Sequence, residues 1–152
     1  MTEGTNAVDV RVRPMAESDV DAVRALTAQL GYAADRAATL TRLRAVLASD
    51  VADAFVAEDA AGRVLGWAHV FSAPFIESGP NAELGGLVVD EGARGHGVGR
   101  ALVARVESWA RERGLRELCL RSNVIRTEAP GFYQGLGFTI QKSQFKFRKE
   151  IA

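Results

Sequence analysis

The sequence predicts an α/β fold, α+β in the order of its elements, built on a central mixed sheet of six to seven strands flanked by about four helices. Three observations carry this. Apolar and charged residues alternate at strand spacing near the start of the chain, then switch to helical spacing. Further on, the turn Arg94-Gly95-His96-Gly97-Val98-Gly99-Arg100 joins an apolar run to a long amphipathic stretch. Finally, the 152 residues, 47% apolar and 25% charged, have the composition of one globular domain, expected at 9–152 behind a disordered 1–8.

Val8-Asp9-Val10-Arg11-Val12-Arg13 alternates as a half-buried strand does, and Pro14 ends it. Ser18 offers a helix cap with Asp21 three residues on, close to a capping box. Val20, Val23, Leu26 and Leu30 then recur at helical spacing until Gly31. A second helix is expected from Arg36 to Ala48, with Leu40, Leu43 and Leu47 on one face. Ala54–Glu58 and Val64–Phe71 read as strands around the hairpin turn Asp59–Arg63, and Ser72–Asn81 as a loop. Glu83–Val89 is a further strand, weakened by Gly85-Gly86. Leu102, Val106, Trp109 and Ala110 mark the buried stripe of a helix ending at Gly114. Glu117–Arg121 is a strand, Ala129–Leu136 a short helix, and Phe138–Lys149 strand material again.

A formal net charge of zero argues against a general nucleic-acid or anionic-membrane surface. No apolar run is long enough to span a bilayer, and residues 1–9 lack the pattern of a secretion signal. The single cysteine, Cys119, excludes an intrachain disulfide and fits a reducing, cytoplasmic setting. Its place in Leu118-Cys119-Leu120 predicts a buried structural thiol. His69, His96 and Cys119 have no metal-ligand spacing, so no metal is expected.

The glycine turn is the chemical signal. Alternating glycines between strand and helix let the backbone curl so that successive N–H groups converge, at the positive end of the following helix. Arg94 and Arg100 bracket the turn, so it reads as a grip for a phosphate or diphosphate. A Walker loop would place Lys-Ser/Thr after the last glycine, where this chain has Arg100-Ala101. A dinucleotide loop would space its glycines G-x-G-x-x-G, whereas Gly95 begins G-x-G-x-G.

The spacing Arg94-x-x-Gly97-x-Gly99, the element order, and Ala129-x-x-Phe132-Tyr133-x-x-x-Gly137-Phe138 together resemble the GNAT superfamily of acyl-CoA-dependent N-acetyltransferases. The resemblance runs from the first strand to Lys149. Within the superfamily, Arg121-Ser122-Asn123-Val124-x-Arg126 and Ser143-Gln144-Phe145-x-Phe147-x-Lys149 look like small-molecule acetyltransferases of the aminoalkylphosphonate type. The resemblance implies a splayed sheet with acetyl-CoA, the cosubstrate, in the gap. Backbone groups of Leu87, Val88 and Val89 would pair with the pantetheine arm. The N–H groups of Gly95, His96, Gly97, Val98, Gly99 and Arg100 would hold the diphosphate, with Arg94 beside them. Asn123 would bond the arm and Phe132 would pack near it. A homodimer is common in the superfamily.

Transfer to an amine sets further demands. Alkyl ammonium groups hold their proton until pH about 10, so a base or a desolvated site must free the lone pair. The departing thiolate then needs an acid. The resemblance puts Tyr133 in that role. Relatives often carry an acidic residue at or near the positions of Gly85-Gly86; this chain does not. Glu83 through water, or His69, remains for the base. The expected reaction is direct attack by a primary amine of a small molecule on acetyl-CoA in a ternary complex. A CoA-binding domain without turnover, and acetylation of protein N-termini or lysines, are the alternatives.

Overall fold

The computed structural model describes residues 9–122 and 128–152. The elements are β1 (Arg11–Pro14), a 3-10 turn at Glu17–Asp19, α1 (Val20–Gln29), α2 (Arg36–Leu47), β2 (Ala52–Glu58), β3 (Val64–Ala73), β4 (Asn81–Val89), α3 (Val98–Glu112), β5 (Leu118–Leu120) and α4 (Ala129–Gly135). They fall into two compact units, Met1–Leu120 and Arg121–Ala152. The expected disorder of residues 1–8 lies outside the described residues.

In the first unit five strands form one sheet in the order β1-β2-β3-β4-β5. The first four pair antiparallel, and β4 and β5 pair in parallel across the α3 crossover. The expected count of six to seven strands is therefore corrected to five among the described residues. Phe138–Lys149 forms no ladder there. Alternation alone does not make a strand: backbone N–H and C=O groups need a neighbour, and α4 is the one regular element among the described residues of the second unit. Phe145 and Phe147 are exposed accordingly.

Helices cover both faces of the sheet. On one, Val23 of α1 and Leu43 of α2 pack with Met15, Ala54 and Val56, and Trp67 lies against them. On the other, α3 buries Leu102, Val103, Val106 and Trp109 completely. Gly66 sets the closeness of that contact. A Cβ there would stand 2.6 Å from the Val88 carbonyl oxygen and 3.2 Å from side-chain carbons of Leu102 and Val98. Any larger residue would push the end of β4 and the start of α3 away from β3.

An ion cluster locks β1 to the helical side. Arg13 donates to both Asp19 oxygens at 2.9 and 2.8 Å and to Glu58 at 3.0 Å, while Asp19 also accepts from the Ala16 N–H at 2.7 Å. Burial opposes the Asp19 charge, yet the bonds from Arg13 and Ala16 prevail and hold the carboxyl below the usual range. The same bonds, Asp19's above all, raise Arg13. Asp19 rather than Ser18 stands at the start of α1. Its carboxylate turns back to Arg13 and Ala16, since charge-assisted bonds outweigh an ordinary cap.

Cys119 departs from expectation as well: it is exposed. β5 is a three-residue edge strand, and Cys119, opposite Glu83, points to the side away from α3.

Candidate active site

The sheet opens where β4 leaves β5. Their ladder pairs Ala82, Glu83 and Leu84 with Leu118, Cys119 and Leu120, and then stops. From Gly85 to Val89, β4 keeps β3 on one side, and no strand among the described residues takes the other. This is the divergence the family resemblance implies. Leu87, Val88 and Val89 lie on that open stretch, opposite Ala68, Trp67 and Gly66.

The glycine turn follows after Asp90 and a 3-10 turn at Glu91–Ala93. Gly95 and Gly97 adopt φ of +81° and +85°, and Gly97 is the left-handed residue that starts α3. A Cβ on either would meet no protein atom within 4 Å. Glycine is required there by the backbone dihedral, and the space over it is open to a ligand. Val98 and Gly99 are buried against the sheet, His96 is half-buried, and Arg94 and Arg100 are exposed at either end. The first-turn N–H groups have no carbonyl to bond within the helix, and the fifteen-residue α3 aims its positive end at the same place. The arrangement suits a diphosphate.

A tie that sequence reading missed steadies the turn. The Asp90 N–H donates to the Leu65 carbonyl at 2.8 Å. Its carboxylate accepts from Gln29 Nε2 at 2.8 Å and from Arg63 at 3.2 Å, and Gln29 Oε1 accepts from the Glu91 N–H at 3.1 Å. Gln29 ends α1, 61 residues before Asp90. No local spacing announces such a pair.

The middle of β4 is built differently. Trp67, His69 and Phe71 project from β3 on the face that carries α1 and α2, and the opposing positions of β4 are Val88, Gly86 and Glu83. The register shifts after His69, so that Gly85 is an extra residue in β4, a bulge. The Gly85 position meets His69 and Phe71, whose rings lie 5.6 Å apart, and the Gly86 position meets the Trp67 ring. Burial pushes the His69 imidazole below its ordinary value. The Trp67 indole N–H is buried without a hydrogen-bond partner among the described residues. Glu83 is half-buried beside Cys119.

In the second unit, Phe132 and Tyr133 lie on α4, their rings edge-to-face at 5.0 Å. Tyr133 also packs edge-on to Phe138 at 5.7 Å, where Gly137 turns the chain at φ +96°. Asn123 and Arg126 lie outside the described residues. The sequence-predicted site residues thus occupy three places: the open end of β4 with the glycine turn, the β3–β4 face with Glu83, and α4.

The model of the Acetyltransferase (GNAT) family matches residues 21–138, on both sides of the boundary between the units. The chain belongs to this family. It is accordingly an acetyl-CoA-dependent N-acetyltransferase. Over 127 residues it is 33% identical to an aminoglycoside N(6')-acetyltransferase type 1 of Stenotrophomonas maltophilia, covering 81% of this chain and 83% of that one. Its structure is similar to aminoglycoside N-acetyltransferase AAC(6')-Iy in complex with CoA, with a TM-score of 0.85, 25% identity and 98% of each chain covered. The same enzyme with the bisubstrate analog CoA-S-monomethyl-acetylneamine gives a TM-score of 0.83 at 26% identity, covering 93% of this chain and 98% of that one. Among the described residues no helix is long and apolar enough to cross a membrane, and no group of three or more His, Cys, Asp or Glu could hold a metal ion.

Proposed function

We propose that this chain acetylates a primary amine of a small molecule of the aminoglycoside class, by direct attack on acetyl-CoA while both substrates are bound. The observation that carries the reading is the likeness, over four-fifths or more of the chain, to enzymes named for that transfer. Backbone groups of Leu87, Val88 and Val89 take the pantetheine arm as an added strand, and the N–H groups of Gly95 to Arg100 hold the diphosphate. Arg94 adds positive charge, Asn123 bonds the arm and Phe132 packs beside it. Glu83 draws the substrate ammonium and accepts its proton through water. A strand N–H near Val89 stabilises the oxyanion, and the Tyr133 phenol protonates the departing thiolate.

Release of CoA thiol from acetyl-CoA by the purified protein tests this against a panel of aminoglycosides, simple primary amines and peptides with free N-termini. Turnover is expected with aminoglycosides. Turnover with peptides alone would move the acceptor to proteins, and acetyl-CoA binding without release for any amine would leave a binding module.

A further inference from the structure

Gly85 and Gly86 leave β4 bare at the middle of its length, and side chains from β3 fill the room. A Cβ on Gly85 would stand 2.9 Å from Nδ1 of His69 and 3.0 Å from Cε1 of Phe71. One on Gly86 would stand 2.8 Å from the Trp67 ring. The bulge aims both positions at the same face, so two ordinary side chains there would collide with three aromatic ones. The imidazole therefore lies where a side chain of β4 would otherwise stand.

We propose that His69 is a catalytic residue that takes the proton from the acceptor ammonium, its imidazole standing in the space that Gly85 leaves above β4. This rests on the amine-transfer reading and changes one part of it: the imidazole, in place of Glu83 acting through water, takes the proton. The groups placed around His69 among the described residues are these. Glu83 comes from β4, with the Cys119 thiol beside it on β5. β2 contributes Ala54, opposite His69, and on the same face Val56, over which Val23 of α1 and Leu43 of α2 pack. Burial keeps the imidazole neutral at pH 7, with its lone pair available. Glu83 remains the carboxylate that attracts the ammonium.

The proton balance closes. R–NH3+ gives one proton to His69, the free amine attacks the thioester carbonyl carbon, and a C–N bond forms. Collapse breaks the C–S bond, and the thiolate takes the Tyr133 proton. The second proton on nitrogen returns to the tyrosinate, and the imidazolium releases its own to solvent. The products are the amide, CoA and one proton.

The test uses the full chain with acetyl-CoA and the aminoglycoside it turns over best. His69→Gln is expected to lower kcat about 100-fold or more, with unchanged acetyl-CoA affinity by calorimetry. The wild-type acid limb of kcat/KM, set by a group titrating below 6.5, should vanish in the variant. Imidazole in the buffer should restore part of the rate to His69→Ala. Gly85→Ala, which keeps the histidine but crowds its ring, should also lower kcat. A His69→Gln enzyme within threefold of wild type and with the same acid limb overturns the assignment and leaves the amine-transfer reading standing. A wild-type enzyme that turns over no amine overturns that reading, and the His69 role with it.

Discussion

The end of β4 and its middle are four residues apart and are built by opposite means. From Leu87 through Arg100 the protein offers main chain: a strand edge with no partner among the described residues, two glycines at positive φ and the first turn of α3. From Glu83 to Gly86 it offers side chains, most of them borrowed from β3 across the sheet. Main-chain groups are the same in every residue, so the first region depends on dihedral angles and tolerates variety in side chains. The second depends on which ring fills which space. The difference suits the proposed division of labour, a constant cosubstrate at one end and a variable acceptor over the other.

Gly97→Val should show the backbone dependence most strongly. A β-branched residue at φ +85° is strained, and its side chain enters the open space above the turn. Acetyl-CoA affinity by calorimetry should fall about 100-fold or more, whereas Gly97→Asn, which tolerates the left-handed region, should lose much less. Equal affinity of the valine variant would remove the cradle. Tyr133→Phe tests the proposed acid. It should lower kcat about 100-fold and leave acetyl-CoA affinity alone, measured where chemistry limits the rate.

Asp19→Ala touches the far edge of the sheet, where β1 and β2 meet the start of α1. It leaves Arg13 with one carboxylate partner, Glu58, among the described residues and the Ala16 N–H without its acceptor, and should cost about 1–2 kcal/mol in urea denaturation. The pH dependence follows in sign. Asp19 has a depressed folded value, so its contribution is complete above the unfolded carboxylate range and is lost as pH falls through the folded value. Burial depresses His69 too, so the unfolded chain protonates first and stability also declines below about pH 6.5. Both groups favour the neutral side: a urea midpoint that rose on acidification from pH 7 to 5 would contradict the His69 effect, and one that did not fall further below about pH 4 would contradict that of Asp19. The smallest effect is expected from Gln29→Ala, which loosens the Asp90 tie without touching a ligand. A loss of about three- to tenfold in acetyl-CoA affinity with unchanged kcat would be its signature.

How much the sequence revealed follows the same divide. Arg94 to Arg100 was legible because a backbone site writes itself as glycines at fixed spacing next to a strand and a helix. The first four-fifths of the element order was legible from periodicity, with α1 beginning two residues after its expected cap Ser18. Phe145 and Phe147 misled because alternation reports which way side chains point and says nothing about a pairing partner. Cys119 misled because an apolar trio on an edge strand has one uncovered face. The Gln29–Asp90 tie and the His69–Gly85 contact join residues from different elements, and no single-strand pattern encodes them.

The 2.9 Å between His69 and the missing Gly85 Cβ also constrains how such a site can change. One volume cannot hold both an imidazole from β3 and a carboxylate from β4. Gly85→Glu alone would displace the ring, and His69→Ala alone would empty the space, so each single step should cost activity. The double variant restores a titratable group and should recover more than the sum of its parts. The two strands are alternatives for the same position, and a lineage that passes from one to the other must cross a less active intermediate.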